Sequence, residues 1–325
     1  MIESSSKVSS LKTPILFLLF NRPELTAKSF EVIRKARPPR LYVSVDGPRD
    51  EKIDDKKKIA EVKKIISRVD WPCELKTLFQ EKNLGCRYAV SAALTWFFEN
   101  EEMGIIMEDD NIPNNDFFIF CENLLNHYHK DNRILTISGD NWFKEKKYSD
   151  ASYHFSKYFI GWGWATWRRT WKYYDQKLSF WPEWKKSNNW KNMFPDKVER
   201  IYWEKKFDSV HKKNFNSMAY VFTASLWYNS SNGLNITPSV NLVTNIGHGD
   251  EATHTTSLDS RANIATEQLS KIIHPVDFAP NKAADLDLFE NHYGGRYLRM
   301  PLLLVGLSIR IMQYLFRKFK ILIKY

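Results

Sequence analysis

The chain has 325 residues, 43% of them hydrophobic, enough for one large or two ordinary domains with a filled core, which excludes a mini-protein that needs staples to fold. Lys and Arg number 48 against 38 Asp and Glu, and the resulting +10 points to an anionic partner: nucleic acid, phospholipid or a phosphorylated small molecule. The three cysteines, Cys73, Cys86 and Cys121, form no CxxC pair, which excludes the usual zinc and dithiol motifs and fits a reducing, cytoplasmic setting.

Residues 1–12 are largely polar and are expected to be disordered. The first apolar run, Ile15 to Phe20, is too short for a signal-peptide core or a membrane span and reads as a buried strand. From there the segments PILFLLF, TAKSFEVIRKA, LYVSVDG, KKIAEVKKIISRV, ELKTLFQ, YAVSAALTWFFEN and GIIME alternate between short apolar runs and amphipathic stretches. This βαβαβαβ pattern predicts an α/β fold with a mainly parallel sheet and helices on both faces. Such sheets bind ligands at the carboxyl ends of their strands. Polar clusters stand at three of those ends: Asn21 and Arg22, Asp46 and Gly47, and Glu108 to Asp110. None of these turns carries GxGxxG or GxxxxGK[ST], so a dinucleotide-binding fingerprint and a P-loop are both excluded.

The acidic triplet in GIIMEDDNIPNNDFF has two readings. Adjacent carboxylates on a strand-end loop can hold a hard divalent cation and leave positions open for diphosphate oxygens. Equally, they can be a solvated turn or the cap of the helix that follows. The aromatic-rich stretch from Trp142 to Trp227, with GWGWATWRRTW and SFWPEWKKSNNW, is likewise either a wall for the apolar faces of sugars or an aromatic core. Residues 286–300 read as a linker. From Pro301 to Tyr325 five basic residues and no acidic ones occur, and Arg310, Gln313, Arg317, Lys320 and Lys324 form one helical stripe beside apolar faces. That segment reads as a helix lying on an anionic membrane surface, the other reading being a helix docked on protein.

The segments PILFLLFNRPE, YVSVDGPR, EKNLGCRYAVSAALTWFF, GIIMEDDNIPNNDFF, FIGWGWATWRRTW and NGLNITPSVNLVTNIGHGDEATHT, in this order over about residues 13–256, resemble GT-A glycosyltransferases, specifically bacterial relatives of N-acetylglucosaminyltransferase I. The resemblance implies a Rossmann-like GT-A domain over 13–285, with a nucleotide-sugar half (13–140) and an acceptor half (141–285). It further implies inversion at the anomeric carbon and a divalent metal, Mn2+ or Mg2+. By the same resemblance Asp110 is the metal ligand, with His248 near the metal or diphosphate and His254 competing for that place. Asp109 contacts ribose or donor sugar, Glu108 supports the loop, Arg22, Asp46 and Arg87 line the nucleotide site, and Gly161, Trp162 and Trp164 belong to the turn that approaches the donor sugar.

An inverting transfer needs a base for the acceptor hydroxyl. Relatives carry an Asp in a WDYQW-like segment, whereas this chain reads SMAYVF, with Ala219 at that place. Glu204 and Asp208 are the nearest upstream carboxylates, and Asp250 and Glu251 are further candidates. The implied function is transfer of a sugar, from a UDP-sugar by preference, to a saccharide or lipid-linked saccharide acceptor in bacterial surface polysaccharide or lipooligosaccharide synthesis, at the inner face of the cytoplasmic membrane. The alternative is a nucleotide-sugar binding protein that has lost catalysis. Nucleic acid is not an expected partner, because no nucleic-acid motif occurs and the clearest basic stripe is amphipathic.

Overall fold

The computed structural model describes residues 11–143, 146–212, 216–247, 261, 263–269 and 271–300. Parallel strands β1 (Ile15–Leu19), β2 (Arg40–Val45), β3 (Glu74–Phe79) and β4 (Met103–Glu108) alternate with helices α1 (Pro23–Ala36), α2 (Ile53–Ile66) and α3 (Cys86–Asn100), as the apolar periodicity predicts. The short β5 (Asn111–Pro113), α4 (Asn115–His127) and strands β6 (Ile134–Ser138), β7 (Tyr153–Ser156) and β8 (Trp164–Trp167) follow. Four short or amphipathic helices come next, α5 (Arg168–Trp171), α6 (Trp181–Trp184), α7 (Asn188–Met193) and α8 (Lys197–His211), then the apolar α9 (Met218–Asn229). Strands β9 (Leu234–Pro238) and β10 (Val243–Asn245) and helix α10 (Lys282–Asp287) complete the elements that bear on the site.

The main sheet has the order β3-β2-β1-β4-β8-β6-β9-β7, and β5 pairs separately with β10. The sheet is mostly parallel, with β8 and β7 running against their neighbours. Because β8 is antiparallel to both β4 and β6, β4 and β6 point the same way and end at one edge. The chain steps from β1 outward to β2 and β3, then returns to place β4 on the other side of β1. That reversal opens a crevice between the ends of β1 and β4.

Strand β1 is buried on both faces. Ile15, Phe17 and Leu19 face one core with Phe30 and Ile33 of α1 and Ile59 and Val62 of α2, while Leu16 and Leu18 face another with Leu94 and Phe97 of α3 and Phe222 of α9. The alternation is the two-residue period of a strand sandwiched between helix layers.

A third core is aromatic. Trp181, Trp184, Trp190, Trp203 and Trp227 are buried together with Phe194, Phe207 and Tyr158, many ring pairs meeting edge to face, as between Trp203 and Trp227 at 4.9 Å and 86°. Most of the tryptophan-rich stretch therefore builds a core rather than a sugar-binding wall. The residues expected as a linker, 286–300, are a correction of a second kind. They carry helical turns at Leu288–His292 and Gly295–Leu298, and Leu288 and Phe289 are buried in this aromatic core. The expected surface helix, 301–325, lies outside the described residues, as does the N-terminal segment 1–10. No helix among the described residues is long and apolar enough to cross a membrane.

Candidate active site

The crevice between β1 and β4 holds Arg22 from the first strand end and Asp109 and Asp110 from the fourth. Arg22 donates from Nε to Asp109 Oδ2 at 3.0 Å and from Nη2 to Asp109 Oδ1, a two-pronged pair, and Nη2 also reaches Asp110 Oδ2 at 3.0 Å. Asp109 is only 2% exposed, so the pair is nearly dry on that side. Burial pushes the Asp109 carboxyl up to about 6 against the opposing pull of Arg22. Burial also pushes half-buried Glu108 up to about 8, with the charges of Asp110 and Asp109 adding to it and Arg22 opposing. With Glu108 and Asp109 both raised, burial and mutual repulsion favour a further positive charge beside this loop.

Asn111, which the sequence reading passed over, staples the loop. Its Oδ1 accepts from Glu108 N at 3.1 Å and from Gly163 N at 2.9 Å, and its Nδ2 donates to Asp110 Oδ1 at 2.9 Å. An Asn directly after a strand-end acid is a turn-forming residue, and that was the available signal. Strand β10 closes the other side: Ile246 N donates to the Asp110 carbonyl at 2.9 Å, and Asn245 Nδ2 to Asp110 Oδ1 at 3.2 Å. Gly247 comes so close that a Cβ there would collide with the Asp110 carboxylate. Its chain neighbour His248, expected near the metal, lies outside the described residues, as do Asp250, Glu251 and His254.

Among the described residues no three His, Cys, Asp or Glu side chains gather into a self-sufficient metal cage. Both Asp109 oxygens are held by Arg22, and the Asp110 carboxylate is the group that would suit a hard divalent cation such as Mn2+ or Mg2+, which takes one or two protein carboxylates and completes its shell with water and ligand phosphate.

Asp46 is held at the same edge. Its carboxylate accepts from Leu84 N at 2.9 Å, Gly85 N at 3.0 Å and Asn83 Nδ2 at 3.0 Å, which anchors the turn entering α3, and burial raises its pKa. The Cys86 thiol just beyond is pushed up to about 12 by burial, with the charges of Glu108 and Asp46 adding to it.

Other expected residues are used differently. Arg87 is 3% exposed and gives its guanidinium to the carbonyls of Gln176 and, at 3.2 Å, Val210, so it ties α3 to the aromatic half instead of facing a nucleotide. Trp164 is 2% exposed and packs with Phe159 and Phe222 in the core behind the sheet, so it does not wall a pocket. Half-exposed Trp162 does remain at the edge, with its ring 5.2 Å from that of Trp142. Gly161 is half-buried in the same turn, and Gly163 has φ +62° and accepts from Gly139 N at 2.7 Å. Glu204 accepts from Trp190 Nε1 at 2.9 Å, and Asp208 from Trp181 Nε1 at 2.9 Å and Lys185 Nζ at 2.6 Å. Both carboxylates are engaged in holding the aromatic core, a structural task that argues against either as the base. Ala219 is exposed at the start of α9.

Asp140, also missed by the sequence reading, is 1% exposed two residues beyond β6, and neither of its carboxylate oxygens has a hydrogen-bond partner among the described residues. Burial raises its carboxyl well above the ordinary range, while a contact with Trp142 and the charge of Arg261 pull the other way.

No family model and no curated protein matches this chain. Among solved structures it is similar to HddC from Yersinia pseudotuberculosis, at 9% identity and TM-score 0.31 over 48% of this chain and 77% of that one. It is similar to the inositol-1-phosphate CTP transferase from T. maritima at 10% identity and TM-score 0.30, over 52% and 76% of the two chains. A UDP-glucose pyrophosphorylase in complex with UDP-glucose matches at 10% identity and TM-score 0.26, over 46% and 64%. Likenesses this remote decide nothing about the chemistry, which has to be read from the residues of the site.

Proposed function

We propose that this chain is a metal-dependent glycosyltransferase that binds a nucleoside diphosphate sugar, UDP-linked by preference, in the crevice between β1 and β4 and passes the sugar to a saccharide acceptor with inversion. The observation that carries the reading is the cluster of Arg22, Asp109 and Asp110 at the point where the strand order reverses. A divalent cation on Asp110 would neutralise charge developing on the departing diphosphate.

The protein's own part is positional. Asn111, Asn245 and Gly247 fix the Asp110 carboxylate from two strands, so its geometry does not depend on a flexible loop tip. Arg22 holds Asp109 in place and keeps one positive charge beside the site. Asp46 stiffens the turn before α3 at the same edge of the sheet. The acceptor, in this reading a lipid-linked saccharide at a membrane surface, would be met by the half that begins after β6, with 301–325 as the basic anchor.

Two variants test the reading. Asp110→Ala should lose turnover of a UDP-sugar while keeping the native melting temperature to within a few degrees; full activity in that variant refutes the role given to Asp110. A chain ending at Met300 should partition less to anionic vesicles than the full chain, and equal partition removes the membrane anchor from the proposal.

Exposed Ala219, where an acidic base is expected, favours a second reading, a nucleotide-sugar binder without catalysis. Donor binding with neither transfer nor donor hydrolysis would support it.

A further inference from the structure

A buried carboxylate without a hydrogen bond is costly, and native structures keep one mainly where a ligand or a reaction needs it. Among the acids at the carboxyl edge of the sheet, Asp109 has Arg22, and Asp46 has three amide N–H groups and an Asn side chain. Asp140 has no such partner.

Strand register locates Asp140. Ile106 of β4 and Ser138 of β6 both pair with Trp164 of β8, from its two sides. Glu108 and Asp140 each stand two residues further on, so their backbones leave the same edge about two strand spacings, ~10 Å, apart. The gap is bridged by a hydrogen-bonded chain: Asn111 Oδ1 accepts from Gly163 N, and the Gly163 carbonyl accepts from Gly139 N, next to Asp140. Asp140 is thereby fixed relative to the acidic loop.

The surroundings suit a sugar. The buried indole N–H of Trp142, which lies close enough to Asp140 to lower its pKa, likewise makes no hydrogen bond of normal geometry among the described residues. Trp142 and half-exposed Trp162 present adjacent rings, with the Arg261 guanidinium 4.8 Å from the first and 5.6 Å from the second. Rings that take the C–H face of a pyranose, beside a carboxylate and an N–H that take its hydroxyls, make a saccharide subsite. Glu204 and Asp208 are bound to indoles and a lysine, whereas Asp140 has no such structural task among the described residues.

We infer that Asp140 is the catalytic base, receiving the proton of the acceptor hydroxyl in a saccharide subsite walled by Trp142 and Trp162. This inference rests on the glycosyltransferase reading. In the step, the acceptor O–H proton passes to an Asp140 oxygen while the acceptor oxygen forms a bond to the anomeric carbon. The bond from that carbon to the diphosphate oxygen breaks, its electron pair leaves with the nucleoside diphosphate, and Asp140 later returns the proton to water. A desolvated carboxylate is a stronger proton acceptor than one in water, and the positive charge of Arg261 favours its ionised form.

The test uses the full chain and Asp140→Asn with UDP-glucose, UDP-galactose and UDP-N-acetylglucosamine plus Mn2+. Stabilisation by UDP and Mn2+ is read beside release of free sugar with water as acceptor. The expected result is unchanged stabilisation and sugar release lowered about 100-fold or more. Sugar release at the native rate in Asp140→Asn overturns the inference, as does a native chain that binds UDP with Mn2+ yet releases no sugar from any donor. A native chain that binds no nucleotide removes the glycosyltransferase reading first, and the inference with it. If Asp140→Asn fails to fold, Asp140→Ala decides: added formate restores release if Asp140 is the base and leaves it unchanged if its role is structural.

Discussion

Two carboxylates leave the same edge of the sheet about two strands apart, and the protein treats them in opposite ways. Asp109, behind β4, is gripped by both prongs of Arg22, whereas Asp140, behind β6, is equally buried and finds no hydrogen bond among the described residues. A paired buried acid is part of the fold and its loss leaves a stranded partner, while an unpaired one burdens the fold and its neutralisation brings relief. On the reading proposed above, the contrast separates a residue that shapes the site from one held for a ligand.

The largest expected effect comes from breaking the paired side. Arg22→Ala leaves Asp109 buried beside Asp110 without its counter-charge and should cost about 3–5 kcal/mol in chemical unfolding. A loss below about 1 kcal/mol would mean that water already screens the pair. Gly163→Ala disturbs the bridge between the two sides, because a Cβ there lies 2.8 Å from Val243 Cγ2 on backbone with φ +62°. Its expected cost is about 1–3 kcal/mol, read in the same way.

Asp140→Asn should move stability in the opposite direction, raising it by on the order of 1 kcal/mol at pH 8. The sign follows from linkage. The folded state raises the Asp140 pKa, so the group favours folding most below its unfolded pKa, and that contribution is lost as pH rises through the folded value. The advantage of Asp140→Asn over the native chain should therefore grow as pH rises from about 4 toward 8. The charged and titratable groups around it are Arg261 and Tyr293. A destabilised variant, or a difference that shrinks as pH rises, would show that Asp140 is paired in solution.

Much of the first part of the sheet was legible because its order is local. The segments from PILFLLF to GIIME carry the period of strands and helices within themselves, and chain order implied the crevice that holds Arg22, Asp109 and Asp110. What failed to show was long-range. Arg87 is engaged by the carbonyl of Val210, 123 residues away, and no pattern around EKNLGCRYAV announces that partner. Trp162 and Trp164 sit two residues apart in one motif, yet Trp162 lies in the turn before β8 while Trp164 opens the strand, and only the packing of Phe159 and Phe222 reveals which one is buried. Composition could not tell an aromatic core from a sugar-binding wall, since both use the same residues. Asp140 was invisible for a related reason: SGDNW reads as an ordinary polar turn until its hydrogen bonds are tallied.

The central claim, that the acidic loop between β4 and β5 is a cation-dependent nucleotide site, is tested most directly by thermal stabilisation of the native chain and Asp110→Asn with UDP, GDP, CMP and dTDP, each with and without Mn2+. A ligand that binds only the folded state raises its melting temperature by mass action. The account predicts stabilisation by one nucleotide, UDP by preference, that requires Mn2+ and disappears in Asp110→Asn. No shift with any nucleotide, or an equal shift in the variant, would contradict it and return Glu108, Asp109 and Asp110 to the status of an acidic turn clamped by Arg22.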